Sequence, residues 1–333
     1  MARAIRATPL ELDAAVQALR GGDVVGFPTE TVYGLGANAQ HAAAVQKIFT
    51  LKGRPAAHPL IVHLDSARFL HRWAREVPAA AAQLAERFWP GPLTLVLPRA
   101  VNVLDLVTGG QDSVAVRVPA HPMAQQLLRA FGGGIAAPSA NRFGHVSPTR
   151  AEHVREEFGD AVPVVLDGGE CQVGLESTIV SCLDGKVRLL RPGKISIAQL
   201  RHEVGELAHA DPATAPRAPG SSQAHYAPAT PLRLVADGQI ERLAAELSRG
   251  GTRIGVLAQR SPLGSFRHVT WVNAGTRLDG YAHDLYANLR TLDKAGASCL
   301  LVQEVPKDDR WEAVRDRLTR AAAATAPEFG DLP

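Results

Sequence analysis

A chain of 333 residues, 46% hydrophobic and 21% charged, is long enough to fold as two domains with separate cores. Its formal net charge of +3 is too small to argue by itself for nucleic-acid binding; three cysteines without a CxxC pair argue against a disulfide framework or a cysteine zinc site; and twelve histidines without HExxH give a protein-only metal site weak support. No apolar run reaches bilayer length and MARAIRATPLELD lacks the apolar core of a signal peptide, so the expected location is the cytoplasm.

The first predicted element is a helix. Thr8-Pro9-Leu10-Glu11 reads as a capping box with proline at the first helical position, and Leu12, Val16 and Leu19 form an apolar stripe that ends at Gly21-Gly22. A strand from Val24 to Phe27 then runs into FPTETVYGLGANA. Pro28 breaks it, Thr29, Thr31 and Tyr33 supply hydroxyls, Glu30 supplies a carboxylate, and Gly34 and Gly36 predict a turn where a ligand can approach the backbone. An ordinary turn, capped by its own hydroxyls, is the competing reading. Neither GxGxxG nor GxxxxGK[ST] occurs, so the familiar phosphate loops are excluded.

A helix from about Ala42 to Leu51 leads to KGRPAAHPLIVHL, where Lys52 and Arg54 stand two apart, Pro55 stops the helix, and a strand from Leu60 to Leu64 carries His63 with His58 before it. Such cations usually complement a helix C-terminus and point into solvent; a proline-fixed loop would instead aim them. A helix (Ala79 to Phe88), a tight turn (Trp89 to Pro92) and a strand (Leu93 to Leu97) follow. Arg117 interrupts the apolar strand Val114 to Val118 and needs a partner. That partner is either a distant carboxylate, Glu30 or Asp167, or an anionic ligand; the absence of an acidic residue in the strand favours the ligand. After a helix near Met123 to Phe131, the strand Ile135 to Ala137 ends in Pro138, Ser139, Ala140 and Asn141, with Ser147-Pro148 beyond. The strand Val164 to Asp167, Ser177-Thr178 before Ile179-Val180, and Val187 to Leu190 before Arg191-Pro192-Gly193 repeat the pattern. A strand ending in a hydroxyl, amide or cation beside Pro or Gly recurs throughout, which predicts strand ends converging on one cavity.

Residues 208–231 are rich in Ala, Pro and Ser without an apolar period and read as a semi-extended linker, interrupted by His225-Tyr226. Beyond it, strands Leu232 to Val235, Ile254 to Leu257, Val269 to Val272 and Leu300 to Val305 alternate with helices Ile240 to Ser248, Leu285 to Leu292 and Trp311 to Ala323. That rhythm predicts a second, small α/β domain with a largely parallel sheet. The expected domains are therefore 1–207 and 232–333, joined by 208–231.

Taken in order, PTETVYGLGANA, KGRPAAHPLIVH, WPGPLTLVL, VAVRVPAHP, APSAN, LESTIV and RPG closely resemble the threonylcarbamoyl-AMP synthases of the YrdC-like family; HYAP and the extra C-terminal domain resemble its long, two-domain form. The resemblance implies a fold: a twisted open α/β sheet with helices around a concave basic cavity, plus a smaller Rossmann-like domain. It also implies a reaction, in which L-threonine, bicarbonate or CO2 and ATP give threonylcarbamoyl-AMP and pyrophosphate for tRNA modification by a separate transferase, with tRNA contact weak and indirect. Lys52 and Arg54 would be catalytic and neutralise the triphosphate, with Mg2+ carried by ATP and no metal held by protein alone. His58, Ser113, Ser139, Asn141, Ser147, Arg191 and Tyr226 would complete the ATP site; Thr31, His63, Arg117, Ala137 and Ser177 would bind threonine. Two departures stand out: APGSSQAHYAP lacks the Met and basic residue usual in the family's linker, and His58 stands where Asn is frequent. The rival expectations are an RNA-binding module with this fold and no synthase activity, and a carbamoyltransferase.

Overall fold

The computed structural model describes residues 7–211, 215–220 and 224–325. The chain divides into two units: Met1–Phe143 with Pro148–Ser221, and Gly144–Ser147 with Ser222–Pro333. Residues 212–214 and 221–223 of the expected linker lie outside the described residues.

In the first unit the elements are α1 (Pro9–Arg20), β1 (Val25–Phe27), β2 (Gly34–Asn38), α2 (Ala42–Lys52), β3 (Ile61–His63), α3 (Ala79–Phe88), β4 (Leu93–Pro98), α4 (Asp105–Thr108), β5 (Ser113–Arg117), α5 (Pro122–Phe131), β6 (Ile135–Ala136), α6 (Ala151–Phe158), β7 (Val164–Val165), β8 (Thr178–Leu183), β9 (Lys186–Arg191) and α7 (Ile197–Val204). The capping box of α1 forms as expected, Thr8 accepting from Glu11 N while Glu11 reaches back. The nine strands make one mixed sheet in the order β7-β1-β2-β6-β3-β5-β4-β8-β9.

Alternation along these strands decides what each face holds. Val62, Leu95, Val114, Val116 and Val180 point to the main core, which buries the apolar stripes of α2, α3, α6 and α7. On the opposite face, α1 and α5 cover Val25, Phe27 and Ile135 near β1 and β6. Further along that face, Ile61, Val96, Ala115 and Ile179 cluster with Ala218, and among the described residues no helix residue joins them. The start of the expected linker is thus packed chain: Arg217 donates to Ala57 O (3.2 Å) and Gly109 O (2.9 Å), and Pro219 O accepts from Arg191 Nη1 at 2.8 Å.

One expectation is corrected. GLGAN is strand β2, not a turn, and its register with β1 places Phe27 opposite Gly34. The glycines make room for a side chain rather than a ligand: a methyl on Gly36 would lie 2.8 Å from Phe27 Cε1 and 2.7 Å from Ile135 Cγ2.

The second unit alternates as expected: β10 (Leu232–Val235), α8 (Asp237–Leu247), β11 (Ile254–Ala258), β12 (Val269–Asn273), α9 (Leu278–Lys294), β13 (Cys299–Gln303) and α10 (Glu312–Thr325). Its sheet, β10-β13-β11-β12, is parallel throughout. Gly144–Ser147 belongs with this unit, where Ala227 N donates to Gly144 O (2.8 Å) and Arg290 of α9 donates to Val146 O (2.6 Å). Tyr226, at φ 63°, lies 5.0 Å from the buried Arg317 guanidinium and stacks 6.1 Å from Tyr286. Among the described residues no helix is long and apolar enough to cross a membrane.

Gly36→Ala is expected to cost about 1–3 kcal/mol of unfolding free energy by overpacking, read as a lower urea midpoint. Phe27→Leu in the same background should return part of the loss; an unshifted midpoint in Gly36→Ala would refute this packing.

Candidate functional site

The helix-free stretch of sheet collects the polar side chains. Register pairs His63 of β3 with Arg117 of β5, and Thr94 of β4 comes one step beyond the Leu95–Val116 pair, so His63, Arg117 and Thr94 form a row across three neighbouring strands. Ser177, just before β8, extends the row through a 2.8 Å hydrogen bond between its Oγ and Thr94 Oγ1. Arg191 at the end of β9 fixes Ser177 in turn, donating to its carbonyl from Nε (3.1 Å) and Nη2 (3.0 Å) and to its Oγ from Nη2 (3.1 Å).

The β1–β2 connection closes over one end of this row. Thr29 Oγ1 donates to Val32 O (2.6 Å) and shares a 2.8 Å hydrogen bond with Thr31 Oγ1, which accepts from Arg117 Nη1 at 2.9 Å. Arg117 Nε donates to Gly91 O (3.2 Å), and Nη2 lies 2.7 Å from Glu30 Oε1. Of the partners open to Arg117 in the sequence, Glu30 takes the place; Asp167 lies 3.7 Å from Arg155 instead. Of the two kinds of partner, the expectation favoured an anionic ligand; in the structure a carboxylate remote in sequence, Glu30, folds onto Arg117.

Beside this end, Ala137 N donates to Ile61 O (2.9 Å), and Ser139 bridges to Gly34. Lys52, the last residue of α2, is buried and donates to Ser139 O at 2.7 Å and to Asn141 O. Asn141 Nδ2 donates to Arg142 O (2.7 Å). Arg54 follows the left-handed cap Gly53, is buried, donates to Pro59 O (2.9 Å), and lies 5.7 Å from the Phe143 ring, against which His58 also packs. Lys52 and Arg54 therefore turn inward rather than into solvent. Ser113 is buried on the same sheet face as Arg117 but at the opposite end of β5.

Burial, then the neighbouring Arg54, holds the Lys52 ammonium well below its ordinary pKa. Its two carbonyl partners solvate charge without cancelling it, so this end of the site favours an anion. Burial and the nearby Arg117 push His63 down to about 3, so its ring is neutral, with Nδ1 3.2 Å from Ile61 O and the ring edge-on to Phe27. Burial, with Arg54 and Arg217 nearby, also lowers His58.

Of the twelve predicted residues of the first unit, Lys52, Arg54, Thr31, His63, Arg117, Ala137, Ser139, Asn141, Ser177 and Arg191 lie near one another, His58 packs on Phe143 beside Arg54, and Ser113 stands apart at the far end of β5. Ser147 and Tyr226 lie in the second unit, each buried. Sequence reasoning passed over Thr94, whose signal was a lone hydroxyl in the apolar run LTLVL, and gave Glu30 no more than an alternative role.

Residues 17–193 match the family model of Sua5, YciO and YrdC, described as "Telomere recombination", and residues 195–323 match "Threonylcarbamoyl-AMP synthase, C-terminal domain". Threonylcarbamoyl-AMP synthase from Pyrococcus abyssi is 40% identical over 91% of this chain and 92% of its own length; that from Bacillus subtilis is 40% identical over 94% and 93%. The crystal structure of P. abyssi Sua5 complexed with L-threonine superposes with a TM-score of 0.89 at 38% identity, covering 96% of both chains.

The fold favours neutral His63, whereas the unfolded chain titrates near 6.5 and takes up the proton first as pH falls. Its contribution to stability is therefore present above about 6.5 and lost towards about 3. His63→Gln should flatten the fall in urea-unfolding free energy between about pH 7 and about pH 5, by up to ~1.4 kcal/mol per pH unit. Parallel wild-type and variant profiles would show that this ring does not titrate as described.

Proposed function

Because the chain belongs to the Sua5/YrdC family of threonylcarbamoyl-AMP synthases, we propose that it condenses L-threonine, bicarbonate or CO2 and ATP into L-threonylcarbamoyl-AMP and pyrophosphate, acting as a nucleotidyltransferase. The product would serve a separate transferase that modifies tRNA. The observation that carries this reading is the presence of two unlike polar sets in the first unit: Arg117, His63 and Ser177 on one sheet face, and the buried cations Lys52 and Arg54 beside Ser139 and Asn141.

The carbamate of threonine attacks the α-phosphorus of ATP; the P–O bond to the β-phosphate breaks and pyrophosphate leaves. Two anions meet only where cations lower their repulsion. Lys52 and Arg54 do this, and the hydroxyl of Ser139 and the amide of Asn141 add neutral contacts to the phosphates. His58 and Ser113 are assigned to the nucleotide, while Arg191 orients Ser177. The nitrogen-rich donor set suits phosphate oxygens, so Mg2+ fits here as a guest of the triphosphate, where it would supply charge neutralisation. Arg117 takes the threonine carboxylate, with Thr31, Ser177 and the Ala137 backbone around it. Neutral His63 offers the side-chain hydroxyl a hydrogen bond, and a polar pocket built for a hydroxyl rejects valine because it would leave that group unpaired.

The deciding assay is pyrophosphate release from ATP and bicarbonate with and without L-threonine: threonine-dependent release is expected, and its absence would reject the reading. Lys52→Ala or Arg54→Ala should lower kcat/KM by about 10²-fold or more. Arg117→Ala should raise the threonine KM about tenfold to a hundredfold, the worth of a charged hydrogen bond. An unchanged threonine KM would remove Arg117 from the pocket.

A further inference from the structure

Glu30 lies in the β1–β2 connection with only 3% of its surface exposed. Two backbone contacts hold it: Ala120 N donates to Oε2 at 3.0 Å, and Val173 N donates to the Glu30 carbonyl at 2.8 Å. Its other oxygen, Oε1, lies 2.7 Å from Arg117 Nη2, yet the N–H and the oxygen are not aligned as a hydrogen bond, and neither atom has another hydrogen-bond partner among the described residues. Arg117 is meanwhile fixed at Nε by Gly91 O and at Nη1 by Thr31 Oγ1.

A pair that served charge balance alone would gain most from the parallel, two-bond geometry that carboxylate and guanidinium favour. Here the carboxylate is divided between a backbone N–H and the cation, and the Nη2 N–H groups are turned out of line with it. An arginine carries five N–H donors in a planar fork. With Nε and Nη1 each committed to a neighbour, the rotation of the fork is set by where the Nη2 edge is drawn. Glu30 draws it, and leaves N–H groups on both terminal nitrogens for an incoming carboxylate.

We infer that Glu30 is a positioning residue for the amino-acid substrate: anchored by the Ala120 N–H, its carboxylate sets the orientation of the Arg117 guanidinium that grips the threonine carboxylate. This rests on the synthase reading given above. Glu30 acts through Arg117, so its loss registers in threonine binding and leaves nucleotide binding alone.

The test is titration calorimetry of the purified full chain with L-threonine and, separately, with ATP, each variant first checked for folding by circular dichroism and thermal unfolding. Glu30→Gln should raise the threonine Kd at least tenfold and shift the ATP Kd less than twofold. Glu30→Asp, which keeps the charge but withdraws it by one methylene, should fall between Glu30→Gln and wild type. In an Arg117→Gln background, adding Glu30→Gln should cause no further loss of threonine affinity. A threonine Kd within twofold of wild type in a folded Glu30→Gln or Glu30→Asp, or equal weakening of threonine and ATP, overturns the inference. If Glu30→Gln does not fold, Glu30→Asp decides on the same criteria; if neither folds, Glu30 serves the fold and the inference fails. Absence of threonine binding by the wild-type chain would instead reject the synthase reading.

Discussion

A cation buried against a β-sheet must be either solvated or cancelled, and the first unit does one at Lys52 and the other at Arg117. At Lys52 two carbonyl oxygens meet the ammonium; they solvate it but remove no charge, and Arg54 nearby adds more of the same sign. At Arg117 the carboxylate of Glu30 meets the guanidinium and brings the pair to neutrality. Removing a charge from water costs several kcal/mol unless it is compensated, so the two ends invite different guests. The Lys52 end favours a multiply charged anion. In the proposed function the Arg117 end, with little excess positive charge, meets the carboxylate of a free amino acid through directed N–H donors.

The sheet makes this arrangement possible. In an α/β layer the second face of a central strand is ordinarily buried under helices. Here, among the described residues, α1 and α5 cover that face near β7, β1, β2 and β6, while β3, β5, β4 and β8 present Ile61, Ala115, Val96 and Ile179 to Ala218. Two residues along the same strands stand His63, Arg117 and Thr94. The short apolar cluster gives the strands a dry footing, and the polar row can then lie on ordered backbone rather than on loop. Close contact also depends on Gly34 and Gly36, which let the Phe27 ring lie against β2 and meet His63 at right angles.

Much of this was readable from the chain because it follows from local rules. The capping box at Thr8, the apolar strands at Leu93 to Leu97 and Val114 to Val118, and the strand–helix rhythm after residue 231 each need only near neighbours in sequence. The errors came where the deciding partner is remote. GLGAN looked like a turn because glycine usually signals one; its strand character comes from pairing with Val25–Phe27 and Ala136, and its glycines from the Phe27 and Ile135 side chains packed against them. Helix α6 is short, with its apolar face reduced to Ala151, Val154 and Phe158, too few positions to establish a period. The Arg117 partner was ambiguous because 87 residues separate it from Glu30 in the chain, and only the β1–β2 connection folding over the end of β5 brings them to 2.7 Å. Candidate residues near the ends of β3, β5 and β8 share a neighbourhood because register aligns those strands, whereas Ser113 lies at the other end of β5 and Ser147 and Tyr226 fall in the other unit.

The same geometry argues against a covalent route. A serine or cysteine nucleophile needs an adjacent base or a lowered pKa. Ser177 Oγ is engaged by Thr94 and by the Arg191 guanidinium, neither of which can take its proton. Burial drives the thiol of Cys171 up and that of Cys182 up to about 12. His63, the ring set in the row itself, pairs across β3 and β5 with Arg117, and burial beside that cation leaves it too weak a base to serve near neutral pH. What remains is positioning and charge. Holding two reactants at the right separation can by itself contribute about 7–11 kcal/mol to lowering a barrier, and in the proposed function a row fixed by strand register would supply that order without any bond to the protein.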